Sequence, residues 1–150
     1  MSLFVNAMPS AHRPAVSVIM PVYNVERFVE RAVRSVLDQT FTDFELIIVD
    51  DGGRDNSIAL CEQLADFRIR IVGQTNRGLA GARNTGISCA RGALIALLDS
   101  DDIWMPEKLE RHVAHLMANP EVGVSFDGSI LIDEHGQPVG AKQHPRRGHI

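Results

Sequence analysis

Cysteine is scarce in this chain: Cys61 and Cys89 stand far apart without a Cys-x-x-Cys spacing, which excludes a disulfide framework and gives no support to a zinc site. Both read as buried free thiols. Long hydrophobic runs are also missing. The best one, Ala93 to Leu98, has the length of a strand and falls well short of the roughly 18 to 20 residues that a bilayer-spanning helix needs. The first residues lack the charged start and apolar core of a secretion signal, so the expected location is the cytoplasm. No block of Lys and Arg is long enough to follow a phosphate backbone, and with a net charge of -4 and a pI near 5.8 nucleic acid is a poor partner. The chain carries no Gly-x-Gly-x-x-Gly after its first strand, no Gly-Lys-Ser/Thr loop and no Gly-x-Ser-x-Gly. Dinucleotide, P-loop and serine-hydrolase readings therefore lose their main support.

A chain of 150 residues with 45% apolar content can bury one ordinary core. The pattern places a domain over residues 15–133, preceded by an unpatterned segment over 1–14 and followed by a turn and polar tail over 134–150. Val16 to Met20 is a short β-branched run stopped by Pro21, hence a buried strand. From Val25 the apolar positions Phe28, Val29, Ala32, Val33, Val36 and Leu37 recur at helical spacing, with Asn24 suited to the N-cap and Glu26 to the positive helix end. Phe44 to Val49 predicts a second strand, ended by Asp50-Asp51-Gly52-Gly53, and Asp55 to Ala65 a second helix. Arg68 to Val72 predicts a third strand, Leu79 to Ala90 a small-residue helix, and Ala93 to Leu98 a fourth strand. Pro106 opens another helix that Asn119-Pro120 closes. Val122 to Phe126 predicts a fifth strand. Ser129 to Ile132 with the turn Glu134-His135-Gly136-Gln137 predicts the start of a hairpin, and His144 to Ile150, with Arg146 and Arg147, reads as a solvated tail.

Strands alternating with helices predict an α/β fold, a Rossmann-like and mostly parallel sheet with helices on both faces. Such sheets take their ligands beyond the carboxyl ends of the strands. Tyr23 and Asn24, Asp50 and Asp51, and Asp99, Asp101 and Asp102 all fall at such ends. Three carboxylates in Asp99-Ser100-Asp101-Asp102 repel, so they raise their pKa values or recruit a cation. Mg2+ or Mn2+ suits them, since these ions take oxygen ligands and are held by one or two carboxylates plus phosphate. His112 and His115 stand three apart on the last predicted helix, and His112 lies on its apolar stripe. They read as structural histidines in preference to a metal pair. Trp104 could shape a pocket or cover the core.

Five segments in order resemble the family 2 glycosyltransferases, which have the GT-A fold. These are Val16-Ser17-Val18-Ile19-Met20-Pro21-Val22-Tyr23-Asn24, Ser35-Val36-Leu37-Asp38-Gln39-Thr40, Ile48-Val49-Asp50-Asp51-Gly52, Asn76-Arg77-Gly78 with Ala82-Arg83-Asn84-Thr85-Gly86, and Leu98-Asp99-Ser100-Asp101-Asp102. The resemblance runs from Val16 to Phe126. It implies binding of a nucleotide-diphosphate sugar, UDP-linked by preference, and transfer of the sugar to a saccharide or lipid-linked acceptor, usually with inversion. Such acceptors would bring the protein to the inner face of the membrane.

By that resemblance Pro21, Val22, Tyr23, Asn24 and Glu26 form the floor of the nucleoside pocket. Asp51 accepts from the ring N–H of the base, and Asp50 supports the turn. Asn76, Gly78, Arg83 and Asn84 close over the nucleotide and diphosphate, with pairing of Arg83 to a strand-end aspartate as the alternative. Asp99 and Ser100 belong to the donor site, and Asp99 and Asp101 match the metal-binding Asp-x-Asp, Asp101 being the direct ligand. Two departures stand out. The family's catalytic base comes from a later segment, so it is expected beyond Ile150 and none is assigned among Asp127, Asp133 and Glu134. Gly53 stands where the family more often has Ser. Two alternatives remain: a donor-binding fragment that lacks its base, and a sugar nucleotidyltransferase, whose glycine-rich basic loop after the first strand is not found here.

Overall fold

The computed structural model describes residues 13–142. The expected N-terminal segment up to His12, and the tail His144 to Ile150 with Arg146 and Arg147, lie outside the described residues. The chain divides into two compact units, Met1–Leu109 and Glu110–Ile150.

The first unit is a four-stranded parallel sheet. Its strands are β1 (Val16–Val22), β2 (Phe44–Asp50), β3 (Ile69–Gly73) and β4 (Leu94–Leu97), alternating with the helices α1 (Val29–Leu37), α2 (Ser57–Gln63) and α3 (Gly78–Cys89). The order across the sheet is β3-β2-β1-β4, with Val18 beside Leu46 on one side and beside Ala96 on the other. This order explains the sequence pattern. The central strands are covered on both faces and read as unbroken apolar runs, whereas the flanking strands β3 and β4 keep partly exposed positions.

The chain moves outward from β1 through β2 to β3, then crosses back to lay β4 on the far side of β1. Right-handed crossovers then require α1 and α2 on one face and α3 on the other. The packing agrees. Ile19, Ile47 and Val49 meet Ala82 of α3 in a buried cluster, and α1 touches α2. Alternation sends Val18, Met20, Leu46 and Ile48 to the opposite face, where they are fully buried too. Gly86 lets α3 lie close, since a Cβ there would collide with Ile19 Cγ2.

The amino end of the sheet is held by charge. Glu45, 3% exposed, accepts from Ser17 Oγ at 2.7 Å, from the Arg91 backbone N–H at 2.8 Å and from the Arg70 and Arg91 guanidiniums at 2.8 Å each.

Several boundaries differ from the pattern. The first helix begins at Val29 and not at Val25, because Asn24 sits at φ 52 and its Oδ1 accepts from the Arg54 backbone N–H, so it does not cap the helix. Trp104 is buried, and Lys108 lies 5.3 Å from its ring centroid.

Helix α4 (Lys108–Ala118) runs across the division between the units. In the second unit β5 (Ser129–Ile132) pairs antiparallel with β6 (Pro138–Lys142), as the hairpin signal indicated. The expected strand over Val122 to Phe126 does not form. A strand needs a neighbouring strand, and no described strand pairs with this stretch; Val124 and Phe126 are exposed. Strands β5 and β6 form a two-stranded sheet of their own. His112 is satisfied locally, with Nδ1 2.7 Å from Ser125 Oγ and Nε2 3.3 Å from Asp127.

Candidate functional site

The strand order reverses between β1 and β4, and the crevice beyond their carboxyl ends is where such a sheet takes its ligand. A cleft of about 510 Å³ opens there. Pro21, Val22, Tyr23 and Val25 line it from the end of β1, and Asp51 from the end of β2. Asn76, Gly78 and Leu79 come from the start of α3, and Asp99, Ser100 and Asp101 from the end of β4. Acidic side chains from two separate strand ends therefore share one cavity, with apolar walls between them, the usual make-up of a small-molecule site.

The Asp50-Asp51 turn assigns different work to its two carboxylates. Asp50 Oδ1 accepts from the backbone N–H groups of Gly52 and Gly53 at 3.1 and 3.3 Å, closing the turn on itself. Gly52, at φ 76, adopts a conformation that side chains rarely follow. Asp51 is 3% exposed and donates its own N–H to Val22 O at 3.0 Å, which locks the turn to β1. Its Oδ1 accepts from Gln74 Nε2 at 2.6 Å and from the Arg77 backbone N–H at 2.8 Å. Gly53 has a steric reason: a Cβ at this position would lie 3.2 Å from the Asn24 nitrogen.

On the β4 side, Asp99 Oδ1 accepts from Arg83 Nη2 at 2.6 Å, so Arg83 reaches the acidic turn from α3. Arg83 Nε is buried without a partner among the described residues. Asp101 is exposed and takes no hydrogen bond from a described residue. Asp102 is held above the usual carboxylate range, first by desolvation and then by the charges of Asp101 and Asp99. Among the described residues no three acidic, His or Cys side chains converge on one point. The rim thus fits an ion that takes one or two carboxylates from protein and the rest of its shell from phosphate and water, as Mg2+ and Mn2+ do. It does not fit a closed four-ligand cage.

Not every anticipated residue reaches the cleft. Asn24 and Glu26 serve the loops around it: Glu26 Oε2 accepts from the Asn56 backbone N–H at 3.0 Å, and its own N–H donates to Asp55 at 2.9 Å. Asn84 is exposed on α3 and, like Arg83 and Trp104, is not among the lining residues. Val25 and Leu79, which do line it, gave no signal in sequence beyond ordinary apolar periodicity. Gln74, which donates to Asp51, gave none either, and its partner Thr85 stood in the Ala82 to Gly86 segment without a role.

Together the switch-point cleft and its acidic rim define a doubly wound α/β domain of the GT-A type, built to hold a polar ligand at the carboxyl edge of its sheet. The comparisons agree. The profile described as Glycosyl transferase family 2 matches residues 17–144, and the chain belongs to that family. It is 42% identical over 134 residues to the Escherichia coli UDP-Glc:alpha-D-GlcNAc-diphosphoundecaprenol beta-1,3-glucosyltransferase WfgD, covering 88% of this chain and 52% of that one. Its fold is similar to that of S. aureus TarS in complex with UDP-GlcNAc, with TM-score 0.67, 28% identity, and 70% of this chain and 32% of that chain covered. It is equally similar to the mannosyltransferase PcManGT of Pyrobaculum calidifontis in complex with GDP-Man and Mn2+, with TM-score 0.67, 28% identity, and 75% and 35% covered. The chain spans 26% to 52% of the length of the curated relatives it matches.

Proposed function

We propose that the chain supplies the donor half of a sugar transfer: it binds a nucleotide-diphosphate sugar, UDP-linked, with Mg2+ or Mn2+ at the acidic rim. The observation that carries this reading is that Asp51, Asp99 and Asp101 line one cleft at the switch point of the sheet. Asp51 accepts from the base, Tyr23 and the backbone around Pro21 and Val22 form the wall beside it, and Asp101 with Asp99 faces the diphosphate. A divalent cation held there supplies Lewis-acid stabilisation of the charge that grows on the phosphate oxygens as the anomeric bond breaks. Arg83 pairs with Asp99 and so offsets part of the negative charge at the rim that must receive the diphosphate. Gly78, the first residue of α3, and Asn76 just before it line the same cleft, so the positive end of that helix lies toward the anion.

The whole protein transfers the sugar with inversion to a saccharide or lipid-linked acceptor, and works at the inner face of the membrane. The name of the Escherichia coli relative, with its UDP-Glc donor and undecaprenol-linked acceptor, supports that choice. No helix among the described residues is long and apolar enough to cross a membrane. No residue of this chain is assigned as the base that takes the acceptor's proton.

The test is Asp101→Asn, with UDP titrated into the protein in a calorimeter with and without Mn2+. Metal-dependent affinity should disappear while the thermal transition stays in place, because an exposed rim residue carries little of the fold. Unchanged Mn2+-dependent affinity would remove Asp101 from the metal site and the reading with it.

A further inference from the structure

We propose that Gln74 is a positioning residue, which with Thr85 fixes the Asp51 carboxylate so that the cleft accepts only bases presenting a ring N–H. This rests on the nucleotide-binding reading above and extends it from which residue meets the base to what holds that residue in its selective state.

Gln74 follows β3 in the loop that leads to α3, and its backbone N–H donates to Asp50 O at 2.9 Å, so the residue is fixed at the turn it serves. Its amide is used at both ends. Nε2 donates to Asp51 Oδ1 at 2.6 Å, and Oε1 accepts from Thr85 Oγ1 at 2.5 Å. The second bond gives the first its direction. An amide free to flip could turn its oxygen toward the carboxylate and repel it, and the Thr85 hydroxyl opposes that by donating to Oε1. With Gln74 Nε2 and the Arg77 N–H both on Oδ1, Asp51 Oδ2 is left without a protein donor among the described residues. Since Asp51 lines the cleft, Oδ2 is the oxygen open to a ligand.

A carboxylate held in this way can only accept. Uracil and guanine carry a ring N–H on the edge used for base pairing and satisfy it. Cytosine and adenine present a ring nitrogen acceptor there, which the carboxylate repels. Thr85 comes from the same helix as Arg83, so one rigid element braces the base-reading carboxylate and reaches the acidic rim.

The experiment compares UDP with N3-methyl-UDP, which lacks the ring N–H, by calorimetry with Mn2+ on the wild-type protein and three variants, each checked by its thermal transition. The wild type should prefer UDP. Gln74→Leu should weaken UDP by about tenfold, the order expected for a lost hydrogen bond to a charged group, and leave the methylated nucleotide unchanged. Thr85→Val should give a smaller loss confined to UDP, and Thr85→Ser, which keeps the hydroxyl, should behave as wild type. Should Gln74→Leu fail to fold, the two Thr85 variants carry the same comparison. Equal losses for both nucleotides, or a preference for UDP that survives both Gln74→Leu and Thr85→Val, overturns the positioning role and leaves the nucleotide site standing. A wild type that binds both nucleotides equally removes Asp51 as the base reader and the positioning role together.

Discussion

Replacing Glu45 with Gln should destabilise the domain by about 3 kcal/mol at neutral pH, and the size of that loss should depend on pH in a defined direction. Burial is the largest single influence on this carboxyl and pushes it up. The bonds from Arg70, Arg91 and Ser17 together outweigh burial and bring it down from 4.5 to about 2. At ~1.4 kcal/mol per pH unit, that difference amounts to about 3 kcal/mol of linked stability. The folded value lies below the unfolded one, so the contribution is complete above the unfolded value and is lost as pH falls through the folded value. Gln keeps one acceptor oxygen but sets an NH2 group against donors and leaves two guanidiniums without their counter-charge. Arg70 and Arg91 are 36% and 52% exposed in their side chains, so water relieves part of that cost and places the loss near the lower end of the ~3–5 kcal/mol seen when a buried pair is broken. Urea unfolding followed by circular dichroism, repeated from pH 7 down to pH 2.5, measures it. With a slope of ~1–3 kcal/mol per molar urea, the variant's midpoint should fall by roughly 1 to 3 M at pH 7. The gap to wild type should then narrow below pH 4.5. A variant as stable as wild type at pH 7, or a gap that stays constant across the acid range, would refute this account of the cluster.

Gly92→Ala should lower the melting temperature by several degrees, because its Cβ would sit 2.6 Å from the Ser17 nitrogen and 2.7 Å from the Val16 carbonyl carbon, and backbone atoms cannot step aside; the cost is about 2 kcal/mol. Gly86→Ala should cost about 1 to 3 kcal/mol by lifting α3 off Ile19, and an Ile19→Leu partner substitution, which removes the colliding Cγ2 branch, should restore part of it, read by urea unfolding. Cys61 is buried and its thiol is pushed up to about 11, so iodoacetamide at pH 8 should leave it unmodified in the folded protein and label it in urea, as mass spectrometry will report.

Much of the fold was legible because burial on both faces leaves a plain signature: Val16 to Met20 and Phe44 to Val49 could hardly be anything but central strands. The rim was legible because acidic turns follow more than one apolar strand, and the carboxyl ends of parallel strands meet at one edge of the sheet. Val122 to Phe126 misled, since an apolar β-branched run states a preference and only a neighbouring strand can realise it. Asn24 misled as well: the same short amide that suits an N-cap also suits a left-handed bend, and its partner, Arg54, lies in another loop. Glu26 followed suit, its charge answered by Asn56 across the loops and not by a helix end. Gln74 was invisible for a simpler reason. A single polar side chain in a loop has no period, and its importance exists only once β2 and α3 have been brought side by side.

The clamp on Glu45 and the cleft at Asp51 and Asp101 occupy opposite ends of the same strands, separated by the length of β1, on the order of 20 Å for seven residues. Cohesion and recognition are thereby assigned to different latitudes of one sheet. Substitutions at the upper rim can redraw it, even with mutually repelling charges, while the lower girdle of arginines keeps the strands in register.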